Sequence, residues 1–92
     1  MAGFRWNEWN LDHATKHGVR IEEAEAVVSN ARRPYPIHHA DSRWLVLGPG
    51  NGGRLLQVVY LEDVDGTVYV IHARPLSENE KRRYRRTRRH ET

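Results

Sequence analysis

The sequence contains no cysteine, which excludes disulfide bonds and thiolate metal sites and fits a reducing compartment. No apolar run approaches the ~20 residues that a membrane-spanning helix needs. The first ten residues, MAGFRWNEWN, lack the apolar centre of a secretory signal. We therefore expect a soluble, cytoplasmic protein with no membrane partner.

The chain is short, and its charge is unevenly distributed. Ninety-two residues allow one domain, residues 1–92, with a modest core. Residues 74–92 carry a net charge of +5, whereas residues 1–73 carry −2. A positive charge concentrated in the last fifth of a chain favours a polyanionic partner, and nucleic acid is the commonest one.

The first third predicts one strand and two helices. The alternation in FRW (4–6) is typical of a short strand. Asn7 can cap a helix that runs to about His17, where Gly18 supplies a left-handed stop. Residues 21–30 predict a second, short helix, because four apolar residues recur on one of its faces: Ala24, Val27, Val28 and Ala31.

The rest predicts a β-meander followed by a helix. Residues 32–42 contain two prolines and indicate a loop with a brief edge strand near Ile37. Three strands follow, joined by short glycine-containing turns as antiparallel hairpins: 43–48, 54–62 and 67–73. Ser77 and Glu80 match a capping box that opens a helix over 78–89.

These elements indicate an α+β domain. An antiparallel meander of three to four strands carries the N-terminal helices on one face, and a basic C-terminal helix and tail (77–92) completes it. The expected core includes Trp6, Val27, Leu45, Val58 and Val70.

Several motifs suggest chemistry but have simpler explanations. GPGNGGR (48–54) resembles a phosphate loop, yet it leads into a strand rather than a helix, so a hairpin turn is favoured. His13 and His17 are spaced like paired zinc ligands, but no HExxH pattern accompanies them. His38 and His39 fall in the proline-containing loop. We expect no metal and no cofactor.

Strand ends supply the more informative polar residues. Arg43, Arg54 and Arg74 begin or end strands of the meander. They either gather on one side of the sheet, where guanidinium groups suit a phosphate, or are ordinary surface arginines. Alternation places His72 on the face of Val70. His72 is then either a buried imidazole or a proton carrier in the groove beside the last helix.

The last helix carries the basic stretch KRRYRRTRR (81–89), in which seven of nine residues are basic. Leu76, Glu80 and Tyr84 form the stripe expected to face the body, and Arg88 and Arg89 are expected to project outward or sideways with the rest. Bunched like charges cost helix stability, which favours contact with a polyanion. The expected RNA-binding residues are Arg43, Lys81, Arg82, Arg83, Arg85 and Arg86.

Several separated stretches together resemble the BrnT-like toxins of bacterial type II toxin–antitoxin systems. They are FRW, then NxxHATKHGV and IEEAEAV, then Arg43 and Gly48, GGRLLQVVY and VIHARPLSxxEKRRY. The resemblance covers residues 4–84. His72 stands where this family usually has serine, the first helix is one residue shorter and lacks the early lysine, and the basic tail is richer than usual.

The resemblance implies a small ribonuclease with a microbial RNase fold related to the RelE group. Such toxins cleave RNA without a metal and are masked by a ribbon-helix-helix DNA-binding antitoxin. Both a homo-oligomer and a toxin–antitoxin heterotetramer are compatible with this assignment. The strong positions of the family fall on Lys16, His17, Gly18, Glu23, Arg54, Arg74, Glu80 and Tyr84.

A ribonuclease toxin is our first hypothesis. Metal-free cleavage needs a base for the ribose 2′-hydroxyl, cations for the phosphorane and an acid for the leaving oxygen. Arg54 and Arg74 are assigned to the phosphate, and His72, or failing that Glu80, to the base. The candidates for the other side of the phosphate are Lys16 and His17. Two alternatives have no chemistry: a module that binds RNA or an acidic partner, and a toxin fold kept for complex formation.

Overall fold

The structure is a computed structural model that describes residues 3–90, so the last two residues of the predicted basic tail lie outside the described part. Within that part it forms a small α+β domain with three helices and a four-stranded antiparallel sheet of order β1-β2-β3-β4. In chain order the elements are α1 (Glu8–Thr15), α2 (Ile21–Ser29), β1 (Ile37–His39), β2 (Arg43–Pro49), β3 (Leu55–Glu62), β4 (Val68–Pro75) and α3 (Glu78–His90). The predicted α+β layout is confirmed. No helix in the described range is long and apolar enough to cross a membrane.

The start of α1 is fixed by two asparagines. The Asn7 side chain accepts from the Asn10 amide at 3.1 Å, and the Asn10 side chain accepts from the Asn7 amide at 2.7 Å. Asn10 is fully buried and also donates to the Arg5 carbonyl. The predicted cap is confirmed, although α1 ends at Thr15 rather than His17. Gly18 then adopts a φ of +81°, a backbone conformation that residues with a side chain rarely adopt.

The predicted strand over FRW is wrong. Phe4 makes only an isolated parallel bridge to Val68 at the free edge of β4. Two backbone hydrogen bonds hold it there, Arg5 N to Val68 O and Val68 N to Gly3 O. The chain leaves the edge directly afterwards because Asn7 already begins the cap of α1.

One face of the sheet forms the core with α1 and α2. The strand residues on this face are Val46, Leu56, Val58, Tyr60, Val68, Val70 and Ala73, and the helices contribute Ala14, Ala24, Val27 and Val28. Among the expected core residues, Val27, Val58 and Val70 are buried, and Trp6 packs against the cluster. Leu45 is the exception: it is half-buried and pairs with Val59, on the face opposite the core, because Val46 takes the inward position.

A β-bulge in β4 changes the face of its second half. Tyr60 pairs with Val70, but Val59 pairs with His72, so Ile71 is the extra residue. His72 therefore lies on the Val59 face and not on the face of Val70, as strict alternation predicted. The face of the sheet opposite the buried core, which carries His72, Val59 and Leu45, is called the outer face below.

The last helix begins as predicted. The Ser77 hydroxyl accepts from the Glu80 amide at 3.2 Å, and the Glu80 carboxylate accepts from the Ser77 amide at 2.8 Å. Leu76 is buried, and Glu80 and Tyr84 face the body. Arg88 also turns inward, where it donates to the Arg33 carbonyl at 2.7 Å and to the Arg32 carbonyl at 3.2 Å. The expectation that Arg88 projects away from the body is wrong, because it follows Tyr84 by one helical turn.

Candidate functional site

Four of the predicted site residues lie together at the C-terminal half of β4. His72 and Arg74 are two residues apart on the outer face, beyond the bulge. Lys16 and His17 follow α1, which packs along β4. The rings of His17 and His72 meet edge to face, with their centroids 5.5 Å apart. The structure thus brings an imidazole pair and two cations to one place.

The environment of His72 lowers its pKa and so favours the neutral imidazole. Partial burial lowers the pKa of His72 below 6.5, since burial penalises the charged ring. The neighbouring His17, Arg74 and Lys16 lower this pKa further through charge repulsion. A neutral imidazole at pH 7 can accept a proton, and cations beside it can hold an anion.

Arg74 and Glu80 form a two-pronged ion pair that joins β4 to α3. The Arg74 Nη1 and Nη2 atoms donate to the two carboxylate oxygens of Glu80 at 2.8 and 2.7 Å. Arg74 Nη2 also donates to Gln57 Oε1 at 3.1 Å. The Arg74 hydrogen bonds, followed by the Ser77 amide, lower the pKa of Glu80 to about 2. Such a weakly basic carboxylate is a poor proton acceptor, so the geometry does not favour Glu80 as the base.

Arg54 lies on the opposite side of the sheet from Arg74. Its Nε and Nη2 atoms donate to the Glu23 carboxylate at 3.1 and 2.8 Å, and Nη2 also donates to the Gly18 carbonyl at 2.9 Å. Glu23 is only 4% exposed, and the Arg54 hydrogen bonds lower its pKa. Arg54 therefore connects the turn after α1 with α2. Its guanidinium lies on the side of the sheet that carries the helices.

Of the two alternatives for these arginines, the structure does not favour a gathering of all three on one side of the sheet. Arg43 shares the outer face with Arg74, but the two lie towards opposite ends of it. Their partners on β3, Leu61 and Gln57, are separated by four residues, or about 13 Å along a strand. Of these three arginines, Arg74 acts on the charge of His72, whereas the guanidinium of Arg54 is held by Glu23 and the Gly18 carbonyl.

The predicted RNA-binding residues of α3 differ in their surroundings. Lys81 bonds to Glu78 at 3.1 Å, and Arg82 bonds to the side chain of Asn79. Arg83 borders a cavity beside Tyr84. Arg85 and Arg86 are exposed. These cations form a positive surface along α3, separate from the pair of His17 and His72 beside β4.

Gln57 belongs to the site, although it was not among the predicted site residues. It is the one polar residue in the apolar run LLQVVY, and this position could have identified it as a candidate from the sequence alone. On the outer face it accepts from Arg74 and, together with Glu80, orients the guanidinium. A polar side chain within an apolar strand indicates a specific partner.

His13 and His38 lie against aromatic rings, away from the His17–His72 pair. His13 stacks on Trp9 at 3.8 Å and shares a hydrogen bond with the Trp9 carbonyl. His38 packs against Trp44. Among the described side chains, no group of three or more His, Cys, Asp or Glu could hold a metal ion.

Comparisons of the chain with protein-family models, with curated proteins and with solved structures found no match.

Proposed function

We propose that the protein is a ribonuclease of the BrnT-like toxin type, which cleaves RNA without a metal. The carrying observation is the edge-to-face contact of His72 with His17 on the outer face, where partial burial and the nearby Arg74 and Lys16 lower the pKa of His72. A base next to cations is the arrangement that cleavage at a ribose 2′-hydroxyl requires. The sequence resemblance supports the same activity, and a fold relationship to the RelE group forms part of the proposal.

The mechanism uses His72 as the base. Its imidazole takes the proton of the 2′-hydroxyl, and the resulting oxygen attacks the adjacent phosphorus. Arg74 holds the negative charge of the phosphorane, oriented by Glu80 and Gln57. The bond between phosphorus and the 5′-oxygen breaks, and Lys16 or His17 donates a proton to that oxygen. The products are a 2′,3′-cyclic phosphate and a 5′-hydroxyl. Arg54 supports the turn that carries Lys16 and His17.

A pH profile tests the base. Because the pKa of His72 is lowered from 6.5, kcat/KM for RNA cleavage should stay constant down to a pH below 6.5 and fall only at lower pH. The fall in kcat/KM moves to lower pH because a base with a lowered pKa remains deprotonated at lower pH. His72→Gln should remove this acid limb.

The matched control for this profile is His13→Gln, which alters an imidazole stacked on Trp9 and should keep the limb unchanged. An acid limb at or above 6.5, or one that persists in His72→Gln, would rule out His72 as the base.

Binding without chemistry is the second candidate, and the positive surface along α3 favours it. Changing Arg82, Arg83, Arg85 and Arg86 together to Gln should weaken binding to single-stranded RNA. It should also flatten the dependence of log K on log salt by about 0.7 for each phosphate that the variant no longer neutralises. Glutamine preserves helix propensity, so circular dichroism should show an unchanged fold.

Arg20→Gln is the control for the salt titration, because it removes one exposed arginine from another part of the surface. An unchanged slope in the fourfold variant would assign the basic stretch to a merely solvated helix face. RNA binding by a wild type that cuts no RNA would favour the non-catalytic module.

The proposed protein partner is a ribbon-helix-helix antitoxin that masks the toxin. This part of the proposal is supported by the resemblance. Co-expression with the product of a neighbouring short reading frame tests it, since a cognate antitoxin should co-purify and suppress RNA cleavage. A heterotetramer or a homo-oligomer is then distinguished by the mass of the purified species.

A further inference from the structure

A cavity of about 380 Å³ opens where α2 ends against β2 and α3. Part of its wall is apolar and comes from Val27, Ala31 and Leu47. Tyr84 supplies an aromatic ring to the same wall. A concave, partly apolar site of this volume lies within the range of small-ligand pockets.

The aromatic ring is held in place by its neighbours. Arg88 Nε donates to the Tyr84 hydroxyl at 3.3 Å, and the guanidinium carbon of Arg88 lies 5.4 Å from the ring centroid. Arg88 is itself fixed by the Arg32 and Arg33 carbonyls. A ring restrained in this way offers a stacking surface at little entropic cost.

The polar part of the wall is cationic. Arg32 and Arg88 border the cavity, Asn30 adds an amide, and none of the described residues that line it is acidic. The exposed arginines of α3 continue the positive charge outward from Tyr84. An anionic, partly planar ligand fits such a wall better than a neutral or a cationic one.

The cavity lies close to the proposed reacting centre. Tyr84 also borders a second cavity together with Glu80, which holds Arg74. From Glu80 to Arg88, α3 advances by eight residues, or about 12 Å. An RNA chain whose phosphate sits at Arg74 would therefore pass the cavity with a neighbouring nucleotide.

We infer that this cavity binds one nucleotide of the RNA, with its base beside Tyr84 and its phosphate towards Arg32. The inference rests on the proposed function and names a subsite next to the cleaved phosphate. The apolar wall contacts the face of the base, and Arg32 pairs with the negative charge of the phosphate.

The test uses nucleoside 5′-monophosphates and does not depend on cleavage. Isotopically labelled protein is titrated with AMP and UMP, and backbone amide shifts are followed by NMR. We expect shifts at residues 30–32, 48 and 84. Ala31→Leu fills the cavity and should weaken mononucleotide binding about tenfold. Ser29→Leu places the same side chain on an exposed position of α2 and should have no effect.

A second variant covers the case in which Ala31→Leu does not fold. Gly48→Ala adds a methyl group whose carbon would lie 3.9 Å from the Tyr84 hydroxyl, an ordinary contact. It should fold and bind AMP more weakly than the wild type. Arg32→Gln should weaken AMP but leave the binding of adenosine, which has no phosphate, unchanged.

The outcomes separate this inference from the proposed function. Cleavage of RNA by a protein whose cavity amides do not respond to AMP or UMP would overturn the subsite and keep the ribonuclease. Binding of AMP in the cavity by a protein that cuts no RNA would uphold the subsite and overturn the ribonuclease. Equal shifts from inorganic phosphate would overturn the base-binding part.

Discussion

Arg74→Ala should reduce RNA cleavage by about 10²–10³-fold, because one donor to charge that develops in the transition state contributes about 2.7–4 kcal/mol. Affinity for RNA should stay within a few-fold, since many arginines of α3 contribute to ground-state binding. The assay is cleavage of a labelled RNA by purified protein in EDTA, which a metal-free mechanism must survive. Growth arrest on expression in bacteria should disappear in parallel.

The Arg74–Glu80 pair needs a control, because Arg74 also fastens α3 to β4. Glu80→Gln breaks the ion pair but leaves the guanidinium beside His72. If Arg74 acts on the phosphate, Glu80→Gln, which removes one of the two groups that orient the guanidinium, should lose much less cleavage activity than Arg74→Ala. If Arg74 only holds α3, both variants should lose activity to the same extent, and that result would remove Arg74 from the reacting centre.

Arg54→Ala should destabilise the fold by about 2 kcal/mol, since it leaves the buried carboxylate of Glu23 with only the Arg20 amide and water as partners. The free energy of unfolding from urea titration at pH 7 measures this effect. Arg20→Ala is a matched control, because Arg20 Nε lies 3.8 Å from the same carboxylate but its side chain is 68% exposed. We expect this control to lower stability by less than about 1 kcal/mol.

The pH dependence of the Arg54 effect follows from Glu23. In the wild type the pKa of Glu23 is lowered, so its contribution to stability is present above 4.5 and is lost as the pH falls. Without Arg54, burial favours the protonated carboxyl, and the deficit should shrink in acid. An Arg54→Ala protein that folds as stably as the wild type but cuts no RNA would support the role at the phosphate that the ribonuclease hypothesis first assigned to Arg54.

Local signals predicted most elements of the fold. The apolar stripe of α2, the cap at Asn7 and the capping box at Ser77 predicted where the three helices lie, although α1 ends two residues before His17. Glycine-containing turns fixed the meander. These signals succeed because each one depends on residues a few positions apart, whose geometry is nearly independent of the rest of the chain.

The site was less predictable because it depends on which face of the sheet each residue takes. No glycine or proline marks the bulge at Ile71, so regular alternation assigned His72 to the wrong face. The partner of Arg54 lies 31 positions away in α2, and no local spacing identifies it. Among the many arginines of α3, no local signal distinguished Arg88, whose inward contacts depend on the distant loop at 32–33.

The bulge at Ile71 also bears on how this strand can vary in evolution. The half of β4 before the bulge and the half after it follow separate registers against β3, so Val70 and Ala73 both face the core although they are three residues apart. His72 has no part in that packing. A lineage could therefore exchange serine and histidine at position 72 without a compensating change in the interior, and the chemistry of the outer face can diversify while the hydrophobic scaffold stays the same.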